Sequence, residues 1–186
     1  MAKLMTETVL RKRILVITND STVFKDKKRL LSAWEMFEGR TTEVKHLVAR
    51  LDTAKNEKGN KLCDVFYGVI TTKYGFVPGN YMVTGYDEVM DSKEGYEKCQ
   101  EEKQYVETVS YLTQPFDLVI FCIPKEMFRL FLDADQIRDG CVVAVTSPEF
   151  KERVEAKHWH FLERSGARVG DENADEIERI VRQICA

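Results

Sequence analysis

Four apolar runs constrain this chain more than anything else in it: RILVIT at 13–18, DVFYGVIT at 64–71, DLVIFC at 117–122 and CVVAVT at 141–146. They are rich in Val, Ile and Phe and nearly continuous rather than alternating, the pattern of strands covered on both faces in a parallel sheet. Segments of helical character separate them. Residues 25–38 and 41–55 stand between the first two runs, 92–114 follows the second, 125–133 the third and 148–166 the fourth, and a last helix is expected from Asp171 to Ile184. Ser147 followed by Pro148 is a helix-start signal for the segment after the fourth run, and Gly166 is its stop. This alternation predicts an α/β fold: a single three-layer open sheet, mostly parallel, of about four strands with helices on both faces. A length of 186 residues favours one domain with a self-sufficient core, expected over 12–186 behind a flexible tail at 1–11.

The same runs exclude a membrane helix, because a stretch such as LVIFCI at 118–123 is far too short to cross a bilayer. The opening MAKLMTETVLRKR places its charges after a short mixed stretch, not before a long apolar one, so it does not read as a signal peptide. Cys63, Cys99, Cys122, Cys141 and Cys185 are odd in number and form no CxxC pair, which fits a reducing compartment and a cytoplasmic protein. Charge is uneven along the chain. Residues 1–60 hold 13 Lys+Arg against 8 Asp+Glu, a surplus of +5, and the remainder carries −8, for a net charge of −3. KDKKR at 25–29 is a segment able to touch phosphates, so nucleic acid is a possible partner, although most charge runs are only a solvated face.

In an open α/β sheet, ligands bind beyond the carboxyl ends of the strands. After the first run come Asn19, Asp20 and Ser21; after the second, Thr72, Lys73, Tyr74 and Gly75; after the third, Lys125; after the fourth, Ser147. The stretch TTKYGFVPGNYMVTGYD at 71–87 is too long and too varied for a plain turn. Gly75, Pro78, Gly79 and Asn80 give it a defined shape. Within it Lys73 can hold a phosphate or carboxylate, Tyr74 or Tyr86 can stack on a base, and Asp87 can accept a hydrogen bond or act as a general base. The bland alternative is that the two tyrosines pack the loop onto the sheet while Lys73 and Asp87 pair with each other or stay in water. Lys73 and Asp87 are the candidate catalytic pair.

The pattern of Thr71, Thr72, Lys73, Tyr74, Gly75, Phe76, Val77 and Pro78, followed by Tyr86, Asp87 and Met90, resembles the peroxide-stress protein family and a larger group of short microbial and phage α/β proteins. In those families a strand runs into Ser-x-x-Tyr-Gly-Leu or Ser-Ala-Lys-Tyr-Gly-Leu, and an aliphatic stretch leads on to Pro-Tyr with Arg or Asp. The likeness covers about twenty residues, with FDLVIFCIPKEMFRLF at 116–131 in the place of the next strand and helix. Two positions depart from it: ITNDSTVFKDKK stands where a Cys/Ser-rich segment containing Lys is usual, and Gly85 stands where Pro is usual. The resemblance implies a ligand site at Lys73, Tyr74, Tyr86 and Asp87 and an association with nucleic acid or nucleotide metabolism.

Other signals are weaker. ILVITNDS at 14–21 resembles the opening of metal-dependent survival-protein nucleotidases, but Ser21 replaces the second of two acidic ligands, so no metal is assigned there. His158 and His160, two positions apart on the expected helix, point to nearly opposite sides, and Trp159 or Phe161 faces the core. His46 reads as a surface residue and Cys122 as a buried thiol. No cofactor motif is present and none is assigned. The expectation is a nucleotide or nucleic-acid-derived ligand, a small phosphorylated or nucleobase-containing molecule, bound at the carboxyl edge by a binding protein, hydrolase or base-modifying enzyme. The alternative is a non-catalytic interaction or nucleic-acid-binding protein.

Overall fold

A computed structural model describes residues 10–186. In chain order the first elements are β1 (Arg13–Asn19), β2 (Leu31–Ser32), α1 (Ala33–Met36), α2 (Thr41–Thr53), β3 (Asp64–Thr71), β4 (Gly75–Pro78) and β5 (Met82–Val83). They are followed by α3 (Lys93–Lys103), α4 (Tyr105–Leu112), β6 (Leu118–Cys122), α5 (Lys125–Ala134), β7 (Val142–Thr146), α6 (Lys151–Ala156), β8 (His160–Glu163) and α7 (Asp171–Cys185). The tail expected at 1–11 falls mostly on residues 1–9, which lie outside the described residues.

The four apolar runs are β1, β3, β6 and β7, and their continuity has the expected cause: each is covered on both faces. In β1, Ile14 and Val16 join the layer that holds Val44, Leu47 and Leu51 of α2 and Ile177, Ile180 and Val181 of α7. Leu15 and Ile17 join the opposite layer with Val106 and Val109 of α4 and Phe128 and Phe131 of α5. Helices on two faces of a sheet make three layers. The sheet has six strands in the order β4-β3-β1-β6-β7-β8, parallel except for β4, which runs antiparallel beside β3. Taken alone, the five parallel strands lie in the chain order 2-1-3-4-5. Connections therefore leave β1 and β6 in opposite directions, which opens a crevice beyond their carboxyl ends.

About four strands was an undercount. β8 is a half-exposed edge strand, HFLE, that pairs in parallel with β7 from Val143↔His160 to Thr146↔Glu163. It lies inside the stretch expected to be helical at 148–166. That helix stops at Ala156 because His158 takes a left-handed conformation (φ 55°) and Trp159 turns inward, its indole Nε1 donating to the Arg138 carbonyl at 3.0 Å. β4 was read as loop. Thr71 closes the β3–β4 turn: its Oγ1 accepts from the Tyr74 N–H and donates to the Gly75 carbonyl, both at 2.9 Å, and Gly75 supplies the positive φ of 69°. The expected helix 25–38 is mostly loop, because KDKKR offers no apolar face; Leu31–Ser32 pairs instead with Met82–Val83, and only the short α1 is helical. The expected helix 92–114 breaks at Gln104 (φ 51°), and Gln100 Oε1 accepts from the Val106 N–H at 2.8 Å to start α4.

Candidate functional site

The carboxyl end of β1 is held by an arginine remote in sequence. Arg168, in the loop from β8 to α7, is almost wholly buried, and its guanidinium caps the strand end. Nη1 donates to Thr18 Oγ1 at 2.8 Å and to the Asn19 carbonyl at 2.5 Å, and Nη2 donates to the Asp20 carbonyl at 2.9 Å. Thr18 Oγ1 in turn donates to the Cys122 carbonyl at 3.0 Å, joining β1 to β6 where the crevice opens. Burial pushes the Arg168 guanidinium down to about 10, with Arg164 adding to the effect, so it is still a cation at neutral pH. Arg164, half-buried, spends Nη1 on the Ile123 carbonyl at 2.8 Å and Nε on the Ala167 carbonyl at 3.1 Å, leaving Nη2 uncommitted among the described residues.

Asp20 is 1% exposed. Its Oδ2 accepts from the Thr72 N–H at 2.7 Å, from Thr72 Oγ1 at 2.7 Å and from the Tyr86 hydroxyl at 2.5 Å. Its Oδ1 is buried with no partner among the described residues, as is Oδ1 of Asn19. Burial pushes the Asp20 carboxyl above the usual carboxylate range, and the bonds from Tyr86 and Thr72 together with the Arg168 charge pull against it. The Tyr86 hydroxyl is pushed strongly up, first by burial and then by the neighbouring Asp20.

Asn19, Asp20, Arg164 and Arg168 line a pocket of about 420 Å³ at the β1/β6 crevice, within the roughly 300–1,000 Å³ typical of small-ligand sites. Its floor is Asn19, Asp20 and Arg168. Its walls include Met90, Tyr96 and Pro124, and Arg40 and Arg164 bring two more cations to it. Arg40 is exposed and makes no side-chain hydrogen bond among the described residues; it directly precedes α2, so the positive end of that helix dipole adds to the same potential. Arginines around a recess are suited to an anion, above all a phosphate, whose oxygens match the planar fork of donors.

The expected site residues divide sharply. Asn19, Asp20 and Ser21 line the pocket, although Ser21 Oγ is engaged with the carbonyls of Val23 and Glu38. Thr72 and Tyr86 act on the pocket through Asp20. Lys73 and Asp87 do not form a pair and neither lines the pocket: Lys73 Nζ lies 3.4 Å from Thr84 Oγ1 and over the Tyr74 ring, and Asp87, with its side chain 95% exposed, is paired with Lys27 at 3.2 Å. The β3–β4 hairpin carries Lys73 on the flank of β3 away from β6. Tyr74 is occupied with Thr84, Gly75 serves the turn, Lys125 pairs with Glu149 at 3.0 Å at the surface, and Ser147 stands outside the pocket. Lys27 of KDKKR is committed to Asp87.

Arg40, Arg164 and Arg168 were not anticipated. The last two follow β8, and recognising HFLE as a strand would have placed ERSGARVGD at a carboxyl end. Cys122 is fully buried, and burial pushes its thiol up to about 12, the behaviour of a small hydrophobe and not a nucleophile. His158 and His160 flank the buried Trp159, and among the described residues no group of three His, Cys, Asp or Glu is arranged to hold a metal ion. No described helix is long and apolar enough to cross a membrane. Comparison with family models, curated proteins and solved structures found no match to this chain.

Proposed function

We propose that this chain binds a small phosphorylated ligand of the nucleotide class in the pocket beyond β1 and β6. One observation carries the reading: Arg40 and Arg164 bring uncommitted donors to a recess at the point where the strand order reverses. The phosphate sits with these two arginines near the mouth, and the rest of the ligand lies deeper, against Met90 and Tyr96, each 7% exposed. Arg168 holds the floor in shape. The likeness of residues 71–90 to the peroxide-stress proteins agrees with a nucleic-acid-derived ligand.

Calorimetric titration with nucleoside 5′-monophosphates tests the reading. Arg40→Ala is the informative variant, because Arg40 makes no bond that the fold needs. Losing a charge-assisted contact to phosphate is expected to weaken binding about tenfold, or roughly 1.4 kcal/mol. Affinity in Arg40→Ala equal to that of the unsubstituted chain, or no binding of any phosphorylated compound by the latter, counts against it.

A further inference from the structure

The two oxygens of Asp20 have opposite fates. Oδ2 takes three hydrogen bonds, from the Thr72 N–H, the Thr72 hydroxyl and the Tyr86 hydroxyl. The middle one has a clear direction: Thr72 Oγ1 accepts from the Met90 N–H at 3.0 Å, which leaves its own hydrogen for Asp20. Oδ1 has no partner among the described residues, although it is as deeply enclosed, and Asp20 is one of the residues that line the pocket. Buried polar atoms are normally paired, so Oδ1 keeps unused acceptor capacity while its twin is triply bonded. The rotamer is held through Oδ2 alone, which leaves Oδ1 as the carboxylate's uncommitted acceptor.

Depth in the pocket says what that donor belongs to. Arg40 is exposed at the mouth and Arg164 half-buried, whereas Asp20 lies on the floor beside Met90 and Tyr96. A ligand held by its phosphate at the mouth presents its opposite end to Asp20, and the flanking side chains suit a flat ring. We propose that Asp20 Oδ1 accepts a hydrogen bond from a nucleobase N–H, making Asp20 the residue that separates nucleotides from other phosphorylated compounds. This rests on the nucleotide reading of the same pocket.

The test compares ribose 5-phosphate with the four ribonucleoside 5′-monophosphates by calorimetry, in the unsubstituted chain and in Asp20→Asn. In the variant the amide oxygen inherits the three donors of Oδ2, so the NH2 group takes the place of Oδ1 and faces the ligand with a donor. The unsubstituted chain is expected to bind at least one nucleotide ten times more tightly than ribose 5-phosphate, and Asp20→Asn to bring that ratio close to one. A ratio near one in the unsubstituted chain, or a tenfold ratio that survives in Asp20→Asn, overturns the proposal while leaving phosphate binding standing. Failure of ribose 5-phosphate and every nucleotide to bind removes the arginine site itself.

Tyr86→Phe provides a second reading, since it keeps Oδ1 in place. The groups facing Asp20 are Thr72 from the β3–β4 turn, Tyr86 from the loop between β5 and α3, Tyr96 and Cys99 from α3, and Arg168 from the loop after β8. The nucleotide preference is expected to fade as pH falls and the carboxylate is protonated. Without the Tyr86 bond that fading moves to higher pH, because one of the bonds favouring the carboxylate is gone. The same pH profile in both proteins overturns the role of Oδ1 as acceptor, since a Tyr86 that only packs the loop would leave the profile where it was.

Discussion

Asp20 sets the character of the pocket through the cost of its own burial. Its carboxyl stands above the unfolded value of 3.8, so the folded state binds its proton more readily than the unfolded state does. The resulting linkage has a definite sign: stability from this group is complete below about 3.8 and is lost as pH rises through the higher folded value. Asp20→Asn removes the titration. The difference in melting temperature, variant minus unsubstituted chain, is therefore expected to grow more positive from pH 4 to pH 8 in thermal unfolding. A difference that stays flat over that range would show that Asp20 is solvated or fully compensated. Arg168 pays a similar penalty, but its two terminal nitrogens are both spent on Thr18, Asn19 and Asp20 at the end of β1, so its part is to hold the floor. Residue chemistry of this kind was partly legible. Asn19, Asp20 and Ser21 are expected at the end of the first strand and line the pocket there, whereas nothing local in ERSGARVGD signals that Arg164 and Arg168 lie beside them.

At the scale of elements, the β3–β4 hairpin explains both what could be read in the sequence and what could not. DVFYGVIT announces β3 by its apolar continuity, but GFVP has too little of that pattern to announce β4. Its place is set by tertiary packing instead: a Cβ added at Gly68 would stand 2.3 Å from Cζ of Phe76, so the ring lies directly over the glycine. Gly68→Ala is expected to destabilise the protein by about 2 kcal/mol, as overpacking does. Phe76→Ala in the same chain should recover part of that loss, since the two substitutions act on one contact. Urea unfolding of the single and double variants measures both, and an unshifted midpoint in Gly68→Ala would contradict the packing. The hairpin also explains why Lys73 and Asp87 have different partners, Thr84 and Lys27. Proximity in the motif did not bring them to the crevice, because the motif folds along the flank of β3 while the crevice lies between β1 and β6. Of that motif Met90 lines the pocket, and Thr72 and Tyr86 act on it by holding Asp20.

Over the whole molecule, the net charge of −3 offers no general attraction for an anion, so an anionic ligand must be drawn by local charge. Three arginines from two loops meet at the one place where the sheet's connections diverge, and the floor between them keeps buried, unpartnered oxygens on Asn19 and Asp20. The six-stranded frame positions all of this from both sides: β1 carries the acid, and β8, the strand least visible in the sequence, delivers Arg164 and Arg168. Backbone amide spectra of the ¹⁵N-labelled chain, recorded while each of the four ribonucleoside 5′-monophosphates is added, test the location most directly. The largest shifts are expected at residues 19–23, 39–40, 89–91 and 164–168. Shifts centred on Lys73 and Asp87 instead, or none with any of the four nucleotides, would contradict a nucleotide site in the β1/β6 crevice.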